Sequence, residues 1–301
     1  MGTNRKLKPV TGREVSVRRR GKLIVIEGTD GSGKSVQTRI LEEILRQRGY
    51  RVHMTDFPQY GNSFFADMIE KYLKGEYGWP QELRDHLKTY PLPAKERQQT
   101  EQLAHEGSYM SSHKSQPGNE AKTGLSDNLP DSFPPRADEV NAYLCSLLYA
   151  GDRWLLKEQM TRWLDEGVII TSNRYVCSNM AHQGAKIKDI RERNSFFKWI
   201  EELEYKVFGI PRPDLIIYLS VPIEISQRLI MDRLQSSGGS KPEFDMHEKD
   251  SGYLHAVQLI YEKLAEADNS WVTVACAKNN QILPRDEIAG KIWSVVNKML
   301  L

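Results

Sequence analysis

The residues best suited to chemistry lie in one short segment, residues 28–35, with the sequence GTDGSGKS. This segment matches the phosphate-binding pattern G-x-x-x-x-G-K-[ST]. Its glycines let the backbone turn tightly and point several N–H groups at one anion. Lys34 can reach the β- and γ-phosphates of a nucleotide, and the Ser35 hydroxyl can ligate Mg²⁺. All eight residues are predicted ATP ligands: Gly28, Thr29, Asp30, Gly31, Ser32, Gly33, Lys34 and Ser35.

The elements on either side of this segment are those that a phosphate-binding loop needs. Residues 23–26 form an apolar run, which predicts a strand buried on both faces. After the loop, Ile40, Leu41, Ile44 and Leu45 recur at helical spacing. Such a helix turns its positive end toward the bound phosphates. This context favours a nucleotide site over a glycine-rich turn with an incidental lysine.

Strands and helices alternate along the rest of the chain. This alternation predicts an α/β fold, a three-layer doubly wound parallel sheet. We expect further strands at residues 50–54, 167–171, 215–221 and 271–275. We expect further helices at residues 63–73, 138–163, 189–208, 222–235 and 286–300, with another before the last strand.

Composition excludes several classes of protein. A net charge of +2 on 301 residues is not that of a dedicated nucleic-acid binder. The three cysteines are widely spaced and odd in number, so they predict neither a disulfide framework nor a metal site. No apolar run is long enough to span a membrane. We therefore expect a protein of the cytoplasm without a membrane partner.

Three polar segments interrupt the pattern. Residues 1–20 are basic and predict a disordered tail, with an organelle-targeting or nucleic-acid role as the alternative. Residues 21–301 are predicted to form one domain. Residues 79–136 hold seven of the 14 prolines and predict an irregular insertion, either disordered or acting as a lid or partner-binding segment. Residues 236–250 predict a mobile loop.

Four more segments follow the loop in a characteristic order: DFPQYG, LLYAGDRW, NRYVCSNMAHQGAK and PRPDLIIYLSVPIEISQRL. With the loop, they resemble the thymidylate kinase family of nucleoside monophosphate kinases. The resemblance covers residues 22–300 apart from the insertion. It implies the P-loop nucleotide kinase fold and transfer of the γ-phosphoryl group of ATP to dTMP, with Mg²⁺, in dTTP synthesis. It also implies a lid at residues 236–250 and a homodimer formed through helices that include residues 138–163.

The resemblance also implies roles for single residues. Asp30 would hold the sugar hydroxyl of the acceptor, and Arg174 would grip its phosphate, with Tyr60 beside it. Tyr149 would stack on thymine, and Arg153 would hydrogen-bond the edge of the base. Three polar residues would lie beneath the base: Ser178, Asn179 and Gln183.

Phosphoryl transfer depends on positioning and on neutralising negative charge. Lys34 and Arg174, with Mg²⁺ held by Ser35, would supply the positive charge. The predicted catalytic residues are Lys34 and Arg174, together with Asp30, whose role the resemblance implies.

Each of these residues also has a purely structural interpretation. Tyr149 lies on an apolar helical face and could belong to the core. Arg153 could pair with Asp152 or a nearby surface acid, and Arg174 could form an ion pair that only stabilises the fold. Asp30 could simply cap the helix after the loop.

The sequence departs from the family pattern at three positions. Gln59 replaces an arginine, so one phosphate contact is expected to be lost. Asn173 replaces an aspartate that helps to order Mg²⁺, which predicts slower catalysis. His182 replaces a bulkier side chain that touches the deoxyribose, which leaves discrimination against a 2′-hydroxyl open. Two alternatives follow: a kinase for dUMP or UMP, and a nucleotide-binding module without catalysis.

Overall fold

A five-stranded parallel sheet forms the centre of the computed structural model, which describes residues 19–74, 141–236 and 251–301. Its strands are β1 (Leu23–Glu27), β2 (Val52–Asp56), β3 (Ile169–Asn173), β4 (Leu215–Ser220) and β5 (Trp271–Ala275). They lie in the order β2-β3-β1-β4-β5, and every neighbouring pair is parallel. Chain order reverses on either side of β1, so the predicted doubly wound α/β fold is confirmed.

Helices cover both faces of the sheet. In chain order they are α1 (Lys34–Gln47), α2 (Phe64–Leu73), α3 (Ala142–Asp165), α4 (Val176–Gly184), α5 (Ile190–Glu201), α6 (Ile223–Ser236), α7 (Ser251–Ala267) and α8 (Arg285–Leu300). A π-helical turn, Glu202–Val207, continues α5. The sequence did not predict the small hairpin of β6 (Ala277–Lys278) and β7 (Gln281–Ile282), because strands of two residues carry no periodicity.

The central strand β1 shows how the two cores are divided. Its residues are all buried, as expected for a strand covered on both faces. Leu23 and Val25 belong to the core that contains residues of α3, α4, α5 and α7. Ile24 and Ile26 belong to the opposite core, with residues of α1 and α8. The alternation of side chains along one strand therefore produces the three layers.

Two strands end later than the sequence pattern suggested. β2 occupies residues 52–56 rather than 50–54, and β3 occupies residues 169–173 rather than 167–171. Their register continues as far as the pair Asp56 and Asn173. Polar residues therefore end both strands at the carboxyl edge, where ligands bind in open parallel sheets.

Several predictions concern residues outside the described ranges. These are the tail up to residue 18, the insertion at 79–136, most of the lid at 236–250, and a helix start at Asp138. The structure describes α3 from Ala142. Asn141 is the N-cap of this helix, because its Oδ1 accepts hydrogen bonds from the backbone N–H groups of Tyr143 and Leu144. In the described ranges, no helix has both the length and the apolar character needed to cross a membrane.

Candidate active site

The backbone of the phosphate loop has a conformation that requires glycine at two positions. Gly31 and Gly33 have φ angles of 78° and 85°, in the left-handed region that favours glycine. A Cβ atom on Gly31 would also lie 2.4 Å from the backbone oxygen of Ser226 in α6. Gly33 is the N-cap of α1, and no side chain caps this helix. Asp30 is therefore not the helix cap, and the N-terminal N–H groups of α1 remain available to an anion.

Three charged side chains meet at the loop. Lys34 Nζ donates to the carbonyl oxygen of Thr29 at 2.7 Å and lies 3.8 Å from Asp30 Oδ1. Arg174 Nη2 donates to the same Asp30 oxygen. Burial, together with the positive charge of Arg174, lowers the pKa of Lys34 to about 7, although Asp30 opposes this shift. A lysine with this pKa is about half protonated at pH 7, and bound phosphates would favour the protonated form.

Arg174 reaches this position because it directly follows β3. Its φ angle is 65°, and its backbone N–H donates to the Ile26 carbonyl of β1 at 3.1 Å. Its Nη1 donates to Ser178 Oγ at 3.3 Å and lies 3.1 Å from His182 Nε2. This backbone turn therefore places the guanidinium at the carboxyl edge of the sheet, beside the phosphate loop.

These groups line a cleft of about 1240 Å³, which joins a smaller pocket. Eight predicted site residues line the smaller pocket: Asp30, Tyr60, Tyr149, Arg153, Arg174, Ser178, Asn179 and Gln183. Asp30, Tyr60 and Arg174 line both the cleft and the smaller pocket. The structure therefore brings the predicted residues to one place, except that Gly28 and Thr29 lie in the loop without lining either space.

A buried ion pair fixes Arg153. Its Nε and Nη2 donate to the two carboxylate oxygens of Glu204, each at 2.6 Å. The alternative pairing with Asp152 is wrong, because Asp152 accepts from the Gln59 backbone N–H and from Ser63 Oγ. Sequence reasoning missed Glu204, since an acid 51 residues away on an amphipathic segment ordinarily faces water.

Two buried amide side chains of the smaller pocket carry polar atoms that have no hydrogen-bond partner in the described ranges. Asn179 Nδ2 donates to Glu204 Oε1 and to the Ser146 carbonyl, each at 3.2 Å, but Asn179 Oδ1 has no partner in the described ranges. Gln183 is fully buried, and neither end of its amide has such a partner. A buried polar group left unpaired costs about 1–3 kcal/mol, so a native protein needs a reason to keep it. Donors and acceptors of a nucleobase would supply these partners.

Glu27 is a second acid that sequence reasoning missed. It ends the buried strand β1 and accepts from the N–H of Tyr175, from Ser178 Oγ and from Tyr261 Oη at 2.8, 2.6 and 2.9 Å. Burial raises its pKa, although the bond from Ser178 and the charge of Arg174 oppose the shift. The signal in the sequence that could have identified Glu27 is an acid at the end of an apolar strand, immediately before the loop. Its role in the structure is to anchor the start of α4 below the pocket.

The side chain of Gln59 is already used within the protein. Its Nε2 donates to the Asp152 carbonyl at 2.9 Å. Gln59 lines the cleft, but its amide nitrogen points to α3 through this bond. This geometry agrees with the expected loss of one phosphate contact.

The residues around Ser35 fit a hard cation. Asn173 Nδ2 donates to Ser35 Oγ at 3.1 Å, and Asn173 Oδ1 is buried without a partner in the described part of the chain. A hydroxyl and a carbonyl oxygen are ligands that Mg²⁺ accepts. Ser35 and Asn173 could therefore hold Mg²⁺ beside the phosphates.

A glycine-rich phosphate loop at the carboxyl edge of a parallel sheet, opening onto a pocket for a second ligand, defines a P-loop nucleotide kinase. The family model "Thymidylate kinase" matches residues 26–107 and 120–286. The chain therefore belongs to the thymidylate kinase family. The predicted family, fold and enzyme class are confirmed, whereas the roles of single residues stay predictions.

Individual relatives agree with this assignment. Thymidylate kinase of Mycobacterium tuberculosis is 23% identical over 243 residues, covering 81% of this chain and 85% of the relative. The human thymidylate kinase is 25% identical over 209 residues, covering 68% and 63%. The solved structure of thymidylate kinase from Candida albicans has a TM-score of 0.57 at 18% identity and covers 93% of this chain and 92% of its own, which shows a common fold.

Proposed function

We propose that this protein transfers the γ-phosphoryl group of ATP to dTMP and produces dTDP. The observation that carries the proposal is the smaller pocket, which opens onto the phosphate loop past Asp30 and Arg174. In it, buried amide atoms of Asn179 and Gln183 have no partner among the described residues. A donor phosphate on the loop and an acceptor phosphate at Arg174 would then be neighbours. Membership of the thymidylate kinase family supports the same reaction.

The donor is held mainly by backbone groups. The loop and the uncapped start of α1 direct N–H groups and the helix dipole at the phosphates. Lys34 then contributes a full positive charge, because the phosphates raise its pKa from about 7. Mg²⁺ bound with ATP would neutralise further charge, with Ser35 and Asn173 as the residues that would hold it.

The acceptor phosphate meets an arginine that is already oriented. Asp30 and Ser178 fix the guanidinium of Arg174 before any ligand arrives. The planar guanidinium can bind phosphate oxygens through two N–H groups at once. Asp30 would exchange part of this ion pair for a hydroxyl of the acceptor sugar. Positioning and charge neutralisation together account for the catalysis that this site can provide.

The base is recognised by neutral amides and by one immobilised arginine. Asn179 Oδ1 can accept from the N3–H group of thymine, and the amide of Gln183 offers one donor and one acceptor. Arg153 keeps Nη1 for the base, because Glu204 uses its other two nitrogens. Tyr149 lines the same pocket and would stack on the ring.

A turnover assay tests this function directly. Purified protein is given ATP, Mg²⁺ and dTMP, with dUMP and UMP as rival acceptors, and dTDP formation is followed. We expect dTMP to be the best acceptor and Lys34→Ala to abolish turnover, whereas Lys198→Ala, on the exposed face of α5, leaves it unchanged. A preference for UMP would contradict the proposed acceptor. Retained ATP binding without turnover of any acceptor would favour the non-catalytic module.

A homodimer is the second part of the proposal. Four apolar side chains of α3 are exposed at helical spacing: Leu144, Leu147, Trp154 and Leu155. A second copy of the chain would cover them. Sedimentation analysis is expected to show a dimer that Leu147→Lys converts to a monomer. The matched variant Leu259→Lys, at a similarly exposed leucine of α7, should remain dimeric; a monomeric wild-type protein would contradict the dimer.

A further inference from the structure

A carboxylate on a distant segment of the chain lies beside the hydroxyl of the phosphate loop. Asp56 is the last residue of β2, and Asn173 is the last residue of β3. These parallel strands are in register, with Asp56 directly opposite Asn173. Both side chains line the cleft that also contains Ser35. Strand register therefore brings Asp56 to the phosphate loop.

One amide group connects the carboxylate to the hydroxyl. Asn173 Nδ2 donates to Asp56 Oδ1 at 2.7 Å and to Ser35 Oγ at 3.1 Å. The Asn173 side chain is buried, and its Oδ1 has no hydrogen-bond partner within the described ranges. A buried carbonyl oxygen that lacks a donor can be satisfied by a cation or by water bound to that cation. The contacts thus bring together three side chains that carry a carboxylate, a hydroxyl and an amide.

The distribution of charge in this group is unusual for a phosphate-loop enzyme. Such enzymes hold Mg²⁺ with the Ser or Thr of the loop and with an aspartate elsewhere in the site. Here the strand next to β1 on this side ends in the neutral Asn173. The negative charge lies one strand further out, on Asp56, which is exposed to the cleft.

We propose that Asp56 supplies the carboxylate of the magnesium site, with Ser35 Oγ and Asn173 Oδ1 as its neutral oxygen ligands. The inference rests on the proposed function in one respect, that ATP with Mg²⁺ is the ligand of the loop. Asn173 then serves two purposes, because its nitrogen fixes Asp56 beside Ser35 while its oxygen remains for the cation. Slower catalysis is no longer expected from the neutral amide alone.

Binding of Mn²⁺ tests the proposal without any acceptor present. The probe is Mn²⁺, followed by electron paramagnetic resonance, with the full chain and the β,γ-imido analogue of ATP. Asp56→Asn is expected to weaken Mn²⁺ binding about 10–100-fold, the range seen when groups supporting a metal site are removed. Asp67→Asn, at an exposed aspartate of α2, is expected to bind Mn²⁺ as the wild-type protein does. Wild-type affinity in Asp56→Asn would overturn the proposal.

An exchange of the two side chains separates the loss of charge from a disturbed fold. The double variant Asp56→Asn, Asn173→Asp keeps one carboxylate and one amide in the same hydrogen-bonded pair. We expect it to recover most of the Mn²⁺ affinity lost in Asp56→Asn. No recovery would show that the loss did not come from the carboxylate, and would overturn the proposal. Failure to phosphorylate dTMP would refute the proposed function and leave these binding results as they stand.

Discussion

Two arginines of the site are each held by a carboxylate, but their surroundings differ. Arg153 and Glu204 have side chains that are 2% and 0% exposed, and both carboxylate oxygens accept from the guanidinium. Arg174 and Asp30 have side chains that are 20% and 15% exposed, and they meet at the wall of the cleft. The contact between Arg153 and Glu204 is closed to water, whereas a ligand can reach the contact between Arg174 and Asp30.

This difference separates a permanent ion pair from one that a ligand can open. Glu204 lines neither the cleft nor the smaller pocket, so its bond to Arg153 persists when a ligand binds. Asp30 lines both spaces, so a phosphate can compete for Arg174. Buried charges need a permanent partner, while a charge at the wall of a cleft can exchange one partner for another.

Glu204→Gln should have the largest effect, and the effect is on stability. The variant leaves the Arg153 charge buried without a counter-ion, which is expected to lower the free energy of unfolding by about 3–5 kcal/mol. Urea unfolding at pH 7 measures the change. Asp30→Asn is the matched control, because Arg174 still reaches water, and its loss should stay below about 1 kcal/mol. Equal losses in the two variants would remove the distinction between the pairs.

Arg174→Ala should have the next largest effect, and the effect is on catalysis. We expect kcat/KM for dTMP to fall by about 10²–10³-fold, the range for losing one donor that stabilises developing charge. Steady-state assays of ADP release measure this. Arg191→Ala changes an exposed arginine of α5 and should keep wild-type kinetics. A decrease of less than about threefold in Arg174→Ala would count against a role in transfer.

Gln183→Met should separate ligand binding from stability. The change removes two buried polar atoms that have no partner in the described part of the chain, so the free energy of unfolding is expected to rise by about 1 kcal/mol. The KM for dTMP should rise about tenfold, because the base loses its amide contacts. Gln258→Met is the control, since Gln258 donates to Glu262 in α7 and lies away from the pocket. A destabilised Gln183→Met protein would indicate that the amide serves the fold.

The affinity for ATP should depend on pH through Lys34. Folding lowers its pKa from 10.5 to about 7, so the cost of burying its charge is complete below pH 7 and disappears as pH rises toward 10.5. Since ATP needs the protonated lysine, its Kd should rise by up to about tenfold per pH unit above pH 7. Isothermal titration between pH 7.5 and 9 tests this. Lys34→Met should show a flat profile, and an equally flat wild-type profile would contradict the shift.

The parts of the site that are contiguous in sequence were predicted well. The loop at residues 28–35 needs only neighbouring residues and one strand before it. The resemblance to the family assigned Arg174 to the site, and the structure places its guanidinium beside Asp30 of the loop. The partners of these groups were not predicted, because Glu204 and Asp56 reach the site through helix packing and strand register. A single sequence contains no local signal for such contacts.

The sequence by itself determined the fold class, the phosphate loop and the family, since these depend on periodicity and on short motifs. Only the tertiary structure decided which charges are neutralised and which buried amide atoms lack a partner among the described residues. It paired Arg153 with Glu204 rather than Asp152 and placed Asp56 opposite Asn173. The physical reason is that electrostatic and hydrogen-bond energies depend on distance and burial in space, and separation along the chain specifies neither.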